Sequence, residues 1–416
     1  METGQLIEIG KRINKCRISG SQSLQTVVNL GTQALTGVFP FHSDEEVAAG
    51  PLELVWCAES GLLQLSHDYD KSLLYGNNYG YRSGLNDQMI GHLTNTVYYL
   101  LGKRALKNDD VVLDIGSNDG TLLSKYPKSC VKIGIDPTAE KFSEFYDDDV
   151  IIVPKFFSKE SFFEVSSKKA SFITSISMFY DLQDPLAFVS EIKEILADDG
   201  IWFLEQSYMP AMVDANAYDT ICHEHLEYYS LSNIEFIVAA VGLKIIDVSF
   251  NAVNGGSFSV LVAHDYGPYR SNDPVITWVL ERESRIGVNT AVYYKQFQQR
   301  VRQHRKELVQ LITRLVDDGK TIGGYGASTK GNVLLQYCNF DQESIFAIGE
   351  INKEKFGKYT PGSKIPIIPE RELIEMRPDY IIVFPWHFRD YILNKEREFL
   401  EGGGRIIFPL PNLEIY

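Results

Sequence analysis

The stretch that most constrains this chain is VVLDIGSNDGTLL, Val111 to Leu123. Its apolar start predicts a buried strand, Gly116 to Gly120 predict a turn, and Leu122 and Leu123 predict the opening of a helix. A strand that breaks at one glycine and restarts as a helix after another aims backbone N–H groups at a ligand. A Walker phosphate loop needs Lys after the second glycine, and Thr121 stands there. A dinucleotide fingerprint needs glycine where Asn118 stands. What remains is D-x-G-x-N-D-G followed by a second strand, VKIGIDP, that ends in an acid, Asp136. The competing reading is an ordinary tight turn with Asp136 as a helix cap.

With 416 residues the chain has room for two or three domains, and at 44% hydrophobic it can bury real cores. Its formal net charge of -15 argues against a nucleic-acid partner and against an anionic membrane surface. An anionic ligand must therefore find a local basic pocket. METGQLIEIGKRINK lacks the apolar core of a signal peptide, and no run approaches a membrane span. Five scattered cysteines do not make a disulfide framework, so a soluble, cytoplasmic protein is expected.

The first segment, to about residue 68, is turn-rich. CRISG (Cys16 to Gly20) and CAESG (Cys57 to Gly61) echo paired zinc knuckles, but Ser19 and Ser60 occupy the second ligand positions. Two thiolates cannot close a tetrahedral site by themselves. Zinc is therefore not expected unless His42 or His67 completes the set. The alternative is a small sheet with Cys16 and Cys57 as buried hydrophobes. YGNNYGYRSG, from Tyr75, is too irregular for a helix or strand face. It reads as a binding loop that offers phenol hydroxyls around a polar ligand, with core or interface tyrosines as the alternative.

A helix over Gly84 to Lys107 leads into the glycine-rich strand, and strands then alternate with helices, which predicts a doubly wound parallel sheet. Asp184 and Pro185 start a helix that Gly200 ends, and IWFLEQS is the next buried strand. Ser232 is expected to cap a helix ending at Gly242. Two strands follow, then DYGPYRSNDP (Asp265 to Pro274) as a linker and a long helix to Gly319. A second strand-to-helix turn, TIGGYGASTKGN, carries Lys330 where it would meet an anion. Lys355, Lys358 and Lys364 gather further positive charge nearby in sequence, with solvated surface lysines as the alternative.

The loop at Val111–Leu123, together with Asp136, resembles the S-adenosylmethionine loop of class I methyltransferases. The resemblance implies that Asp114, Gly116, Asn118, Asp119 and Gly120 hold the amino-acid end and that Asp136 takes the ribose hydroxyls. Met178 would pack on the adenine, a core methionine being the alternative. The ordered set of CRISG, CAESG, YGNNYGYRSG, DIGSNDGTLL, CHEHLEYYSL, NGGSF, GYGASTKGN, KYTPGSKIPI and FPWHF resembles the C-methyltransferases of nucleotide-linked deoxysugars, over nearly the whole chain. It implies an α/β protein: a class I methyltransferase sheet over 69–266, a C-terminal Rossmann-like nucleotide-sugar domain over 267–416, and a small zinc-ribbon-like domain over 1–68. It also implies methyl transfer from S-adenosylmethionine, leaving S-adenosylhomocysteine, to carbon 3 of a nucleoside-diphosphate 4-keto-6-deoxy sugar. Two departures stand out: the halved knuckle cysteines, and Cys222 where the family commonly has Tyr.

Methylating carbon requires removal of a proton beside a ketone, donors for the developing oxyanion, and close placement of both substrates. Histidine suits the base, and His223 and His225 lie two apart, so one of them is the worker. The resemblance points to His225, with Glu224 as polar partner and Tyr75 and Tyr79 on sugar or enolate oxygens. It assigns the acceptor to Tyr81, Arg82, Asn254 and Ser257, and to Ser328, Lys330, Asn332, Lys358, Trp386 and His387. The His-Glu-His run lacks the spacing of H-E-x-x-H, so no metal is expected there. The rivals are an O- or N-methyltransferase, a non-catalytic nucleotide-sugar-binding protein, and a nicotinamide oxidoreductase, which Asn118 disfavours. The sequence leaves the nucleotide base, the sugar epimer and the assembly state open.

Overall fold

The computed structural model describes residues 9–74 and 82–416. Its central sheet has seven strands in the order Leu243–Asn251, Ser257–His264, Leu196–Ser207, Ala170–Ile176, Val111–Ile115, Val131–Ile135 and Val150–Val153. Ser257–His264 runs antiparallel to both neighbours, and the other pairings are parallel. The chain builds outward from Val111–Ile115 to Val150–Val153, then returns to the other side at Ala170–Ile176. Such a reversal opens a crevice at the strand ends, where ligands settle in sheets of this kind.

A second sheet follows the same logic. Its strands run Ile367–Pro369, Ile348–Glu350, Ile322–Tyr325, Tyr380–Val383, Arg405–Phe408 and Glu414–Ile415, and all but the last pair in parallel. Here the reversal lies beside Ile322–Tyr325, where the helix Thr329–Cys338 begins under a Ser328 cap. The third sheet is antiparallel and joins Leu24–Ala34, Ala49–Cys57 and Leu63–Leu65 from the N-terminal segment. Its fourth strand, Glu227–Tyr228, comes from the segment between two central-sheet strands, Leu196–Ser207 and Leu243–Asn251.

Several local expectations change. No α-helix follows Gly120: the chain makes a single 3-10 turn at Leu123–Lys125. Pro127 gives the reason, because a residue before proline is driven out of the helical region, and Tyr126 is extended at ψ 152°. The helix opened by Asp184 and Pro185 ends at Ile195, not at Gly200. Gly200 lies within the strand Leu196–Ser207, where a side chain would come within 2.9 Å of the Ala170 carbonyl. The helix before Gly242 is Leu231–Ala240, and its cap is Ser230 rather than Ser232. The segment Asp265–Pro274 is pinned to the central sheet by Ser271 Oγ on the Ile245 carbonyl and Tyr269 OH on that of Asp199. The next helix, Asp273–Ile286, buries Ile276 and Val279 in the same apolar core as Trp202 and Phe258. Among the described residues no helix is long and apolar enough to cross a membrane.

Glu283, on that helix, is 2% exposed. Its carboxylate accepts from Tyr208 OH at 2.8 Å, Leu231 N–H at 2.7 Å and Ser232 N–H at 3.0 Å. It thereby satisfies the first N–H groups of Leu231–Ala240, where a negative charge also meets the positive end of the helix. Glu283→Ala leaves three buried donors without a partner and should cost about 3 kcal/mol of stability. Urea unfolding checks this, and an unchanged midpoint would remove the assignment.

Candidate active site

The carboxyl ends of the central strands open into a cavity of about 370 Å³. Its wall includes Asp114, Gly116, Asn118 and Asp136 from the glycine-rich turn and second strand, and Met178 from just after the strand Ala170–Ile176. His225 and Lys330, more than a hundred residues apart from each other and from the turn, line the same cavity.

The turn is held from within. Gly116 adopts φ 75° and Asn118 φ 53°, left-handed backbone that glycine takes freely and asparagine tolerates. A side chain at Gly116 would press to 3.2 Å from Met178, so the glycine lets the two walls of the cavity approach. Asp136 accepts the Asn118 N–H on one oxygen at 2.9 Å and the Thr138 N–H on the other at 2.6 Å. A carboxylate offers about four acceptor sites, so Asp136 keeps capacity toward the cavity. Asp114 accepts from Thr174 Oγ1 at 2.5 Å. Burial lifts its carboxyl to about 7; the Thr174 bond opposes this and the Asp136 charge adds to it.

Asp119 and Gly120 lie outside the cavity wall. Asp119 turns toward the segment after the tyrosine loop, accepting from Gly84 N–H at 2.9 Å and pairing with Arg82 at 3.4 Å. Arg82 stacks on Phe145, 3.3 Å from the ring centre. Asn118 Oδ1 likewise accepts from Ser83 N–H at 2.9 Å. Gly120 makes room for Tyr146, whose ring atom would sit 2.6 Å from a side chain there. Tyr75, Tyr79 and Tyr81 lie outside the described residues, as does the side chain of Asn254.

The two histidines part company. His223 is fully buried and its Nε2 donates to the Gly50 carbonyl at 3.2 Å, with Tyr69 edge-on, so it serves the contact with the N-terminal sheet. His225 faces the cavity, packed on Tyr180 at 4.3 Å between ring centres. Its Nδ1 lies 3.1 Å from the Thr220 carbonyl, an acceptor only, so Nδ1 carries the proton and Nε2 keeps a lone pair. Burial lowers its pKa to about 4; the Thr220 bond resists this and the Lys330 charge adds to it. Burial raises the Glu224 carboxyl, and a side chain at Gly37 would come within 3.0 Å of its Oε1. Cys222 is buried, and burial pushes its thiol well up.

Of the remaining acceptor candidates, Lys330 lines the cavity with His225, His387 feels the Lys330 charge, and Trp386 bonds Asp219. Burial lowers the Lys330 ammonium, and burial with the Lys330 charge lowers His387 to about 3. The others are occupied elsewhere. Asn332 donates to the Thr36 carbonyl at 2.7 Å, Ser328 caps its helix, and Lys358 lies on the Phe41 ring at 4.5 Å. Lys355 donates to the Ala327 carbonyl at 2.7 Å, so the expected lysine cluster reduces to Lys330 at the cavity. Ser257 bonds the Val253 carbonyl and lines a separate hollow beside Phe250 and Trp278.

Sequence reasoning missed Asp219. It is fully buried and accepts the Trp386 indole N–H at 2.8 Å. Burial raises its carboxyl, with Lys330 and Trp386 opposing. The available signal was an acid three residues before Cys222, just ahead of the His-Glu-His run. Lys71, Phe156 and Phe157 also line the cavity and stood in segments that carry no motif.

Three family models match the chain: a methyltransferase domain over residues 86–248, a C-methyltransferase C-terminal domain over 252–411, and a family whose description names a zinc-binding domain over 16–75. The chain is 30% identical over 411 residues to the C-methyltransferase NovU of Streptomyces niveus, covering 97% of each protein. Among solved structures, it resembles the Haloferax volcanii methyltransferase complexed with its Trm112 activator at 16% identity, over 44% of this chain and 94% of the other, with a TM-score of 0.35. It also resembles the magnesium protoporphyrin IX methyltransferase of Synechocystis PCC 6803, solved with S-adenosylhomocysteine, at 13% identity, over 46% and 91%, with a TM-score of 0.33.

Asp219→Ala leaves the Trp386 indole without its acceptor and should cost about 2 kcal/mol. Trp386 emission should shift with it. Asp219→Asn, which keeps an acceptor, should recover most of that stability. Equal losses in the two variants would show that the indole bond is not what Asp219 contributes.

Proposed function

This chain belongs to the S-adenosylmethionine-dependent C-methyltransferases, and on that premise we propose that it methylates carbon 3 of a nucleoside-diphosphate 4-keto-6-deoxy sugar, with His225 as the base. The observation that carries the reading is that His225 and Lys330 line one cavity with the Asp114–Gly116 turn. A base, a cation for a diphosphate and the cofactor turn thus share one crevice, as a two-substrate transfer needs.

The chemistry the cofactor supplies is an electrophilic methyl group. Asp114 at the strand end holds its α-ammonium, and Asp136 holds its ribose hydroxyls. His225 Nε2, free of the proton that Thr220 keeps on Nδ1, takes the proton from carbon 3 of the ketone. The electron pair left on carbon 3 would take the methyl group that the bound cofactor supplies, with the S–CH3 bond electrons leaving on S-adenosylhomocysteine. Lys330 meets the diphosphate, and the anion offsets the positive charge that holds His225 down, so acceptor binding strengthens the base.

The test is incubation with S-adenosylmethionine and a panel of 4-keto nucleotide sugars, read by mass and by the position of the new methyl. Solvent deuterium entering carbon 3 without cofactor separates proton removal from transfer. Methylation at oxygen or nitrogen, with no such exchange, would overturn the carbon assignment.

Two further outcomes are expected. His225→Ala should lose transfer by at least about a hundredfold while cofactor affinity stays unchanged. Because the His225 pKa lies at about 4, kcat/KM for the acceptor, at saturating cofactor, should stay flat from pH 8 down to about 5 and fall below it. A limb centred at the ordinary histidine value would contradict this assignment. Cofactor affinity should behave differently, since burial raises the Asp114 carboxyl to about 7 and the ammonium needs its ionised form. Affinity is then full above that pH and weakens by up to about tenfold per unit below it. Calorimetry on Asp114→Asn should show weaker binding without that slope.

A further inference from the structure

The family match over residues 16–75 names a zinc-binding domain, so the donor set of the N-terminal knuckles bears directly on whether zinc fits. The two knuckles have the same backbone. Gly20 N–H returns to the Cys16 carbonyl at 2.9 Å, and Gly61 N–H returns to the Cys57 carbonyl at 2.9 Å. Both glycines sit in left-handed backbone, φ 70° and 72°. The turns face each other and exchange partners. Cys16 Sγ lies 3.2 Å from Ser60 Oγ, and Ser19 Oγ lies 3.5 Å from Cys57 Sγ. Each hydroxyl also accepts the backbone N–H two residues on, Ser21 for Ser19 and Leu62 for Ser60.

These four groups converge as four zinc ligands would, but two of them are neutral hydroxyls. Structural zinc takes thiolates, imidazoles or carboxylates and closes with four such ligands. Among the described residues no group of three or more His, Cys, Asp or Glu could hold a metal. His67, a conceivable substitute, bonds Ser66 Oγ at 2.8 Å and sits in a strand opposite Arg12. The donor set therefore does not fit a structural zinc ion.

A small knuckle domain ordinarily needs its metal because its own core is too small to fold it. This one has another source. Cys16, Ile18, Cys57 and Leu62 belong to the same apolar core as Phe179 and Tyr229 of the central domain. The Ser60 carbonyl accepts from Asn233 Nδ2 at 2.8 Å, which fastens the second knuckle to the helix Leu231–Ala240. We propose that the N-terminal domain is a metal-independent knuckle, in which two crossed thiol–hydroxyl hydrogen bonds and a core shared with the central domain replace the zinc ion.

The test uses the full-length protein, purified without chelator and supplied with zinc. Metal analysis should find well under one zinc per chain, and the melting temperature should not move when EDTA or a thiol-competent chelator is added. One tightly held zinc per chain, with melting lowered by its removal, would overturn the proposal. The paired substitution S19C/S60C should take up one zinc per chain and give the cobalt charge-transfer bands of a tetrathiolate site. If that variant folds and takes no metal, the four positions do not converge and the geometric argument fails. S19A/S60A should melt a few degrees lower with or without chelator, and an unchanged melting temperature would deny the crossed bonds their role. The native metal content decides the matter even if a variant does not fold.

Discussion

Everything in the site depends on how one polar stretch, Tyr218 to Ser230, is paid for in hydrogen bonds as it runs through the middle of the protein. It is buried almost throughout, and several of its polar groups bond to different parts of the fold. Tyr218 OH meets His304 of the long helix Ala291–Asp317, and Asp219 meets Trp386 of the C-terminal segment. His223 meets the Gly50 carbonyl, and Glu227–Tyr228 joins the N-terminal sheet as an edge strand. Between these fixed points the backbone N–H of Leu226 bonds the Tyr180 carbonyl of the central domain. Buried backbone and side-chain polar groups cost free energy unless partnered, so the three domains must dock for this stretch to be stable at all. That docking is what holds His225 in one cavity with the Asp114–Gly116 turn. The N-terminal sheet is therefore part of the scaffold of that cavity.

Burial sets the electrostatics of the crevice more than charge pairing does. Asp114, Asp219 and Glu224 are raised, and His225, His387 and Lys330 are lowered, with desolvation the largest cause each time. Each shift moves its group toward the neutral form.

Local chemistry was legible wherever it is encoded by neighbours in sequence. The strand, glycine turn and second strand of the cofactor loop stand as read, and so do the Asp184–Pro185 helix start and the second glycine-rich turn at Ser328. The errors are also local in origin. Pro127 cancels the helix after Gly120 by acting on Tyr126, and Glu283 supplies the helix-end bonds that Ser232 seemed suited to make. The lysines of the last hundred residues looked alike in sequence, yet only Lys330 reaches the cavity, while Lys355 and Lys358 lie on Phe39 and Phe41. Asp219 was illegible because its partner, Trp386, lies 167 positions away.

The sequence by itself determined which turn faces a ligand, which acid ends the second strand, which residue types could take and hold a proton, and which two knuckle positions carry serine instead of cysteine. Those are properties of residue type and spacing. Only the tertiary structure decided which histidine faces the cavity, because His223 and His225 are chemically alike and differ in what docks against them. It also paired each knuckle cysteine with the serine of the other knuckle, and it gave those cysteines a core they do not possess alone. The reason is the same in both cases. A lone pair or a buried thiol is satisfied by whatever the fold brings within about 3 Å, and sequence distance places no limit on that.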